Sequence, residues 1–234
     1  MDGTQTTKPE EEMKKKRKNK ETLRRARVVH NISFKQNVKH IMMDECEVSN
    51  ACKIKKNVIE LLSKLQRDFV QTILNEAVFS MKERQNVKLL VRHCKNAAFL
   101  ILPPSVSSKI VNQAVANTEK TINSLKNQNK NNMNGTAKEI SKTAKNAKEL
   151  QFSKFSLIVK HSIPACNQKA ASVPVFIKHL SDLFIKEVIE DLLKDHDKSS
   201  IVTLGDFEEY TRSPDCNLKE YFKNKRVVEV QCLI

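Results

Sequence analysis

Between Lys55 and Lys82 the chain reads KKNVIELLSKLQRDFVQTILNEAVFSMK, with neither a glycine nor a proline to interrupt it. Apolar residues return at Val58, Leu61, Leu62, Leu65, Phe69, Ile73, Ala77 and Met81, the three-and-four spacing of one helical face. At 1.5 Å per residue such a helix is about 40 Å long. A rod of that length cannot hide its own apolar stripe, so the chain must supply a partner of similar length. A second candidate begins at Val173 and runs to about Asp195, with Phe176, Ile177, Leu180, Leu183, Phe184, Val188 and Leu192 inside. Its Pro174 falls in the first turn, where proline is tolerated. Each rod is flanked by shorter segments, so the sequence carries a short–long–short helical pattern twice.

The flanking segments fit this plan. Asn31 to Met43 is a short amphipathic piece with Ile32, Phe34, Val38, Ile41 and Met42 inside, followed by a polar loop from Asp44 to Lys53. Gln85 to Leu89 reads as extended, and Val91 to Leu102 as a helix that stops at Pro103-Pro104. Val106 to Leu125 is a further helix, with Val106, Ile110, Val111, Ala114, Val115, Thr118 and Ile122 on one stripe. In the second half, Phe155 to His161 is a short helix, Ile201-Val202 a short strand and Gly205 to Tyr210 a last short helix.

Only three glycines occur in 234 residues. That scarcity argues against β-hairpins, dinucleotide-binding turns and phosphate loops, which need backbone at positive φ. The expected fold class is all-α, with an aliphatic core because tryptophan is absent. No stretch of eighteen apolar residues is present to span a membrane. The charged N-terminal segment lacks the apolar core of a secretion signal. Cys46, Cys52, Cys94, Cys166, Cys216 and Cys232 form no CxxC pair and read as reduced thiols of an intracellular protein.

The net charge is +15, and its placement is uneven. Residues 1–31 carry +5, residues 32–125 carry +6, residues 126–149 carry +4, and residues 150–234 are neutral. A basic excess of this size points to a polyanionic partner. Its densest part is KKKRKNKETLRRAR, with Lys14, Lys15, Lys16, Arg17, Lys18, Lys20, Arg24, Arg25 and Arg27 against one acid, Glu21. Such a block cannot bury enough apolar surface to fold alone, so residues 1–31 read as a disordered basic arm that neutralises phosphates or signals nuclear import. Residues 126–149 are an Asn- and Lys-rich linker, with a weak helical tendency from Thr136 to Leu150. If flexible, it reaches about 25–30 Å.

These segments carry a resemblance. DFVQTILNEA, Asp68 to Ala77, is similar to the middle of the long helix of histone 2B. Leu100-Ile101-Leu102-Pro103 and the later AVANTEKTINSLK resemble that histone's third and C-terminal helices, with one extra turn near Ser107–Val111. Leu150-Gln151-Phe152 resembles the start of the folded part of histone 2A, and the helix from Pro174 with Asp182, Glu187 and Glu190 follows that histone's pattern. Residues 212–218 and Val227 to Val230 resemble a shortened histone 2A docking segment. Together the likeness covers residues 32–125 and 150–231. Order and spacing carry it more than any one motif.

The resemblance implies two histone folds in one chain, packed as an intramolecular handshake heterodimer: a histone 2B-like fold over 32–125 and a histone 2A-like fold over 150–234. Fusion would make their encounter independent of concentration. Fused pairs in this order resemble histone doublets of giant DNA viruses, of the marseillevirus-like group. The implied role is to wrap double-stranded DNA without sequence reading. The implied partners are the other two core histones, as separate chains or as a second fused doublet, and another copy of the chain in an octamer-like particle. The implied setting is a chromatin-like nucleoprotein in a virion, host nucleus or viral factory. Histone octamers are the standard case of binding through backbone contacts and DNA deformability.

Carried over position by position, the resemblance places Lys53, Lys55, Lys56, Arg84, Lys88, Lys145, Lys148, Lys154, Lys160, Lys169 and Lys198 on the DNA-facing loops and helix ends, alongside the nine cations of the arm. It places Asp182, Glu187, Glu190, Asp191 and Asp215 on an acidic surface gripped by partner proteins, although Ser105, Cys216 and Asn217 stand where acids are expected. Ser199-Ser200 and Gln85-Asn86 replace basic loop residues, so wrapping is expected to be weaker than in a eukaryotic octamer.

Two other readings share the composition: a histone-fold transcription-factor-type dimer that reads a DNA element, and a non-DNA helical scaffold whose basic arm binds membranes. Catalysis is not expected, nor a metal or cofactor. His93-Cys94 are adjacent and diverge on a helix, Cys94 falling on the inner stripe. His161 and Cys166 lack an orienting carboxylate. No HExxH-type spacing is present.

Overall fold

The structure is a computed structural model of the full chain, and it describes residues 29, 31–45, 53–132, 142–164, 167–194 and 201–224. Two compact units divide the chain, Met1–Ile32 and Ser33–Ile234. Only Val29, Asn31 and Ile32 are described in the first, and all the elements named below belong to the second.

The second unit is all-α apart from four two-residue strands among its described residues. In chain order it comprises α1 (Lys35–His40) with a π-helical turn (Ile41–Glu45), β1 (Lys53–Ile54), α2 (Lys56–Glu83), β2 (Lys88–Leu89), α3 (Val91–Ile101), α4 (Pro104–Asn132), α5 (Lys142–Ser162), β3 (Gln168–Lys169), α6 (Ser172–Leu193), β4 (Ile201–Val202), α7 (Leu204–Arg212) and α8 (Lys219–Asn224).

Both expected rods form. In α2 the residues Val58, Leu62, Phe69, Ile73, Ala77 and Met81 are buried, as the spacing requires. Leu61 and Leu65 are only half-buried, while Val70, Leu74 and Val78 form a second buried line. The buried face is wider than one stripe because α2 is packed by α1, α3, α5 and α6. The more enclosed rod is α6, which touches α1, the π turn, α2, α3, α4, α5 and α7. Polar Ser181, Asp182, Glu187 and Asp191 are buried on it along with its apolar face.

The strands settle how the rods run. β1, which precedes α2, pairs in parallel with β4, which follows α6: Lys53 lies opposite Ile201 and Ile54 opposite Val202. β2, which follows α2, pairs in parallel with β3, which precedes α6: Lys88 lies opposite Gln168 and Leu89 opposite Lys169. The start of each long helix therefore sits beside the end of the other, so the two run antiparallel. Where they meet, Phe69 and Phe184 stack with centroids 4.0 Å apart and planes 8° from parallel. Tyr221 closes on both rings edge-on, at 6.0 and 5.1 Å. Offset stacking and edge-on contacts suit the quadrupoles of aromatic rings.

Three boundaries differ from the sequence expectation. α4 starts at Pro104, a first-turn position where a missing N–H breaks no intrahelical bond, and runs to Asn132 rather than Leu125. α5 begins at Lys142, so Lys145, Lys148 and Phe155 share one helix and the expected break at residue 150 is absent. Both extensions fall in sequence without proline and rich in Lys, Asn and Ala, where helix propensity outweighs the loop-like composition. α8 is an element the sequence does not announce. Its six residues are too few for a periodic signal, and it is held by Tyr221 and Phe222 against Phe69, Phe184, Phe207 and Tyr210.

Candidate nucleic-acid interface

The two strand pairs create two similar ends, each joining a loop from the first half to a loop from the second. At the β1–β4 end, Lys55 and Lys56 are exposed where α2 begins. The Lys55 N–H donates to the Val202 carbonyl at 3.2 Å, so the second half fixes the entry of α2. No acidic residue lies in the first turn of α2. Its free N–H groups and two ammonium groups therefore present one region of positive potential, suited to an anion. The backbone of Lys53 lies in β1. Lys198, expected among the DNA-facing cations, lies outside the described residues.

At the β2–β3 end, Arg84 and Lys88 are exposed, and Lys160 is exposed in the last turn of α5. The loop between α2 and β2 is shaped by a paired C-terminal cap. Gln85 N–H donates to Lys82 carbonyl at 2.9 Å and Asn86 N–H to Met81 carbonyl at 3.0 Å, with Gln85 at φ 54°. The second half holds the far side of this loop. Gln168 N–H and the Asn167 side-chain amide both donate to the Val87 carbonyl, at 3.0 and 3.1 Å, and Ala170 N–H donates to the Leu89 carbonyl at 2.9 Å.

Two expected cations are engaged internally instead. Lys169 is half-buried, and its ammonium donates to the carbonyl and hydroxyl of Ser156 at 3.1 and 3.0 Å. Burial and the neighbouring Lys160 push its pKa below the ordinary lysine value. It ties β3 to α5 rather than facing solvent. Lys154 donates to the Ser33 carbonyl at 2.9 Å, joining α5 to the residues before α1. Lys14, Lys15, Lys16, Arg17, Lys18, Lys20, Arg24, Arg25 and Arg27 lie outside the described residues, as do the side chains of Lys53, Lys145 and Lys148. One cation the sequence did not single out is Arg92, exposed in the first turn of α3. It follows Lys88 by four residues, across the entry into α3.

The expected acidic surface is corrected at three of its five positions. The Asp182 carboxylate is buried and accepts from Asn37 at 2.7 Å, from Gln66 at 3.1 Å and from Lys178. Glu187 is buried and accepts from Lys109 of α4 at 2.7 Å, an ion pair that raises the Lys109 pKa. Asp191 is buried and accepts from Asn217 through its backbone N–H at 3.0 Å and its amide at 3.1 Å, and from Lys194. Spacing placed these acids on one helix, but α1, α4 and the segment before α8 cover that helix from three sides. Glu190 and Asp215 remain exposed.

Cys94 is fully buried, and burial pushes its thiol pKa up to about 12, far from a thiolate nucleophile. Its neighbour His93 turns to a backbone amide, and His179 bonds to Thr121 at 2.9 Å. Among the described residues no three His, Cys, Asp or Glu converge as metal ligands, and no helix is long and apolar enough to cross a membrane. No known family model and no curated protein matches the sequence.

Proposed function

We propose that the chain is a histone 2B–histone 2A type doublet that wraps double-stranded DNA through backbone contacts, with the other core-histone pair completing the particle. The observation that carries this reading is the reciprocal joining of loops. Two antiparallel rods exchange strand pairs at both ends. Each end then offers exposed cations from the first half, Lys55 and Lys56 at one and Arg84 and Lys88 at the other. Two cationic ends on one antiparallel pair suit a polyanion that curves past both. Such an arrangement fits the head-to-tail handshake expected of two histone folds. In this reading phosphate contact by these cations supplies the affinity.

The wrapping is expected to be weak. Gln85 and Asn86 are used to cap α2 and fix the loop, and Lys169 is folded onto Ser156, so fewer cations remain for phosphate. The deciding experiment mixes the full chain with the other histone pair and a long duplex, followed by nuclease digestion. A protected fragment of fixed length is expected. A smear would reduce the activity to coating, and full digestion would remove the reading altogether. In a salt titration of such particles, release at lower salt than a eukaryotic octamer is expected.

A further inference from the structure

We propose that His93 is a positioning residue for the loop between α2 and α3. In this role it holds both ends of that loop so that Arg84 and Lys88 keep their placement, and protonation of its ring releases the loop and weakens binding to DNA. The second half of this statement rests on the proposed DNA-binding role; the clamp itself does not.

The loop runs from the end of α2 at Glu83 to the N-cap of α3 at Leu90, with Asn86 and Leu90 on either side of Lys88. At the entry, the Leu90 N–H donates to His93 Nδ1 at 3.1 Å. Leu90 has no side-chain acceptor of its own, so α3 lacks an ordinary N-cap. The imidazole at the third helical position instead reaches back to the cap amide, the part a Glu or Gln plays in a capping box. At the exit, His93 Nε2 lies 3.4 Å from the Asn86 side-chain amide. One ring thus touches the residues on both sides of Lys88.

The hydrogen-bond roles follow from donor arithmetic. Nδ1 accepts from an N–H, so in the neutral ring Nε2 carries the proton. With Nε2 as the donor, the accepting group is Asn86 Oδ1, which meets the ring when the amide whose Nδ2 lies 3.4 Å away is turned over. A second proton would sit on Nδ1 and face the Leu90 N–H, two donors where one acceptor stood. The ring is 1% exposed, so water cannot replace the lost acceptor without the loop moving. The charges acting on it are Arg92 on its own helix and Arg84 at the end of α2. Among the described residues, α4 and α6, packed on the same helix, add none to that set. Burial first, then these two cations, hold the pKa below the ordinary 6.5. The same loop gives the Val87 and Leu89 carbonyls to the second half, so its release also loosens the β2–β3 end.

The test uses the full chain, as wild type, His93→Gln and His93→Ala. Glutamine can reach back to the Leu90 amide and does not titrate. Two quantities are measured between about pH 8 and pH 5, a range that brackets the ordinary histidine pKa. One is the hydrogen-exchange protection factor at Leu90; the other is affinity for a mixed-sequence duplex at fixed salt. In wild type, Leu90 protection should fall about tenfold more than in His93→Gln. Acidification also protonates other histidines and favours DNA, so the ratio of affinities is the readout. Wild type should lose about threefold or more relative to His93→Gln. His93→Ala should show low Leu90 protection at every pH. Parallel pH profiles for wild type and His93→Gln in Leu90 protection would overturn the clamp. A responding amide with a constant affinity ratio would overturn its role in positioning. A responding amide with no DNA binding at any pH would sink the proposed function and leave the clamp standing.

Discussion

Gln85 adopts φ 54°, a conformation that costs a residue with a β-carbon roughly 1 kcal/mol or more. It is held there because its own N–H and that of Asn86 close the end of α2. Gln85→Gly is expected to raise stability by about 0.5–1 kcal/mol in denaturant unfolding, since glycine is the usual residue at this cap position. Buried His93 and half-buried His179 give a second expectation at this scale. Burial is the largest cause lowering the pKa of both His93 and His179 below 6.5. Lys178 lowers His179 further, while Asp182 opposes. The native state therefore binds fewer protons than the unfolded chain. Its stability contribution is complete above about pH 6.5 and is lost as pH falls toward the folded pKa values. Melting temperature should drop on mild acidification, and less in His93→Gln.

Among the elements, α6 is the one whose damage should spread furthest. Phe184→Ala removes a ring stacked on Phe69 and touched by Tyr221, at a contact between both halves and α8. The expected cost is about 3–5 kcal/mol, read by thermal or denaturant unfolding. Asp182 ties α6 to α1 and α2 through Asn37 and Gln66. Its replacement by Ala takes the acceptor from buried Asn37 and half-buried Lys178, and leaves the Gln66 amide with only the Ser181 hydroxyl. A loss of about 3 kcal/mol is expected, with Asp182→Asn costing less because one acceptor survives. If Asp182→Ala were neutral, the network would be incidental rather than part of how the halves find their register.

For the whole molecule, the proposed function makes a quantitative statement about salt. If Lys55, Lys56, Arg84 and Lys88 each neutralise a phosphate, replacing all four by Ala should flatten the slope of log K against log salt by about 3.6. Removal of the same number of exposed lysines elsewhere should change it less. An unchanged slope would place the contacts on other surfaces and detach the loops from the DNA reading.

Much of this fold is legible from the chain itself. The scarcity of glycine, the two apolar stripes and Pro103-Pro104 follow rules of local geometry, and local geometry decides which residues can be helical. The stripes also require that two rods cover each other. Sequence cannot tell which polar side chains on a covered helix meet solvent, because that depends on what packs over them. Asp182, Glu187 and Asp191 have the spacing of a surface and are enclosed by partners from distant segments. Lys169 has the position of a free cation and is folded onto Ser156. His93 shows nothing in the sequence beyond a histidine beside a cysteine, since its role depends on the loop closing back over the start of α3. Periodicity determined the elements, and tertiary packing alone decided which charges remain available, because burial and hydrogen bonding depend on neighbours far away in sequence.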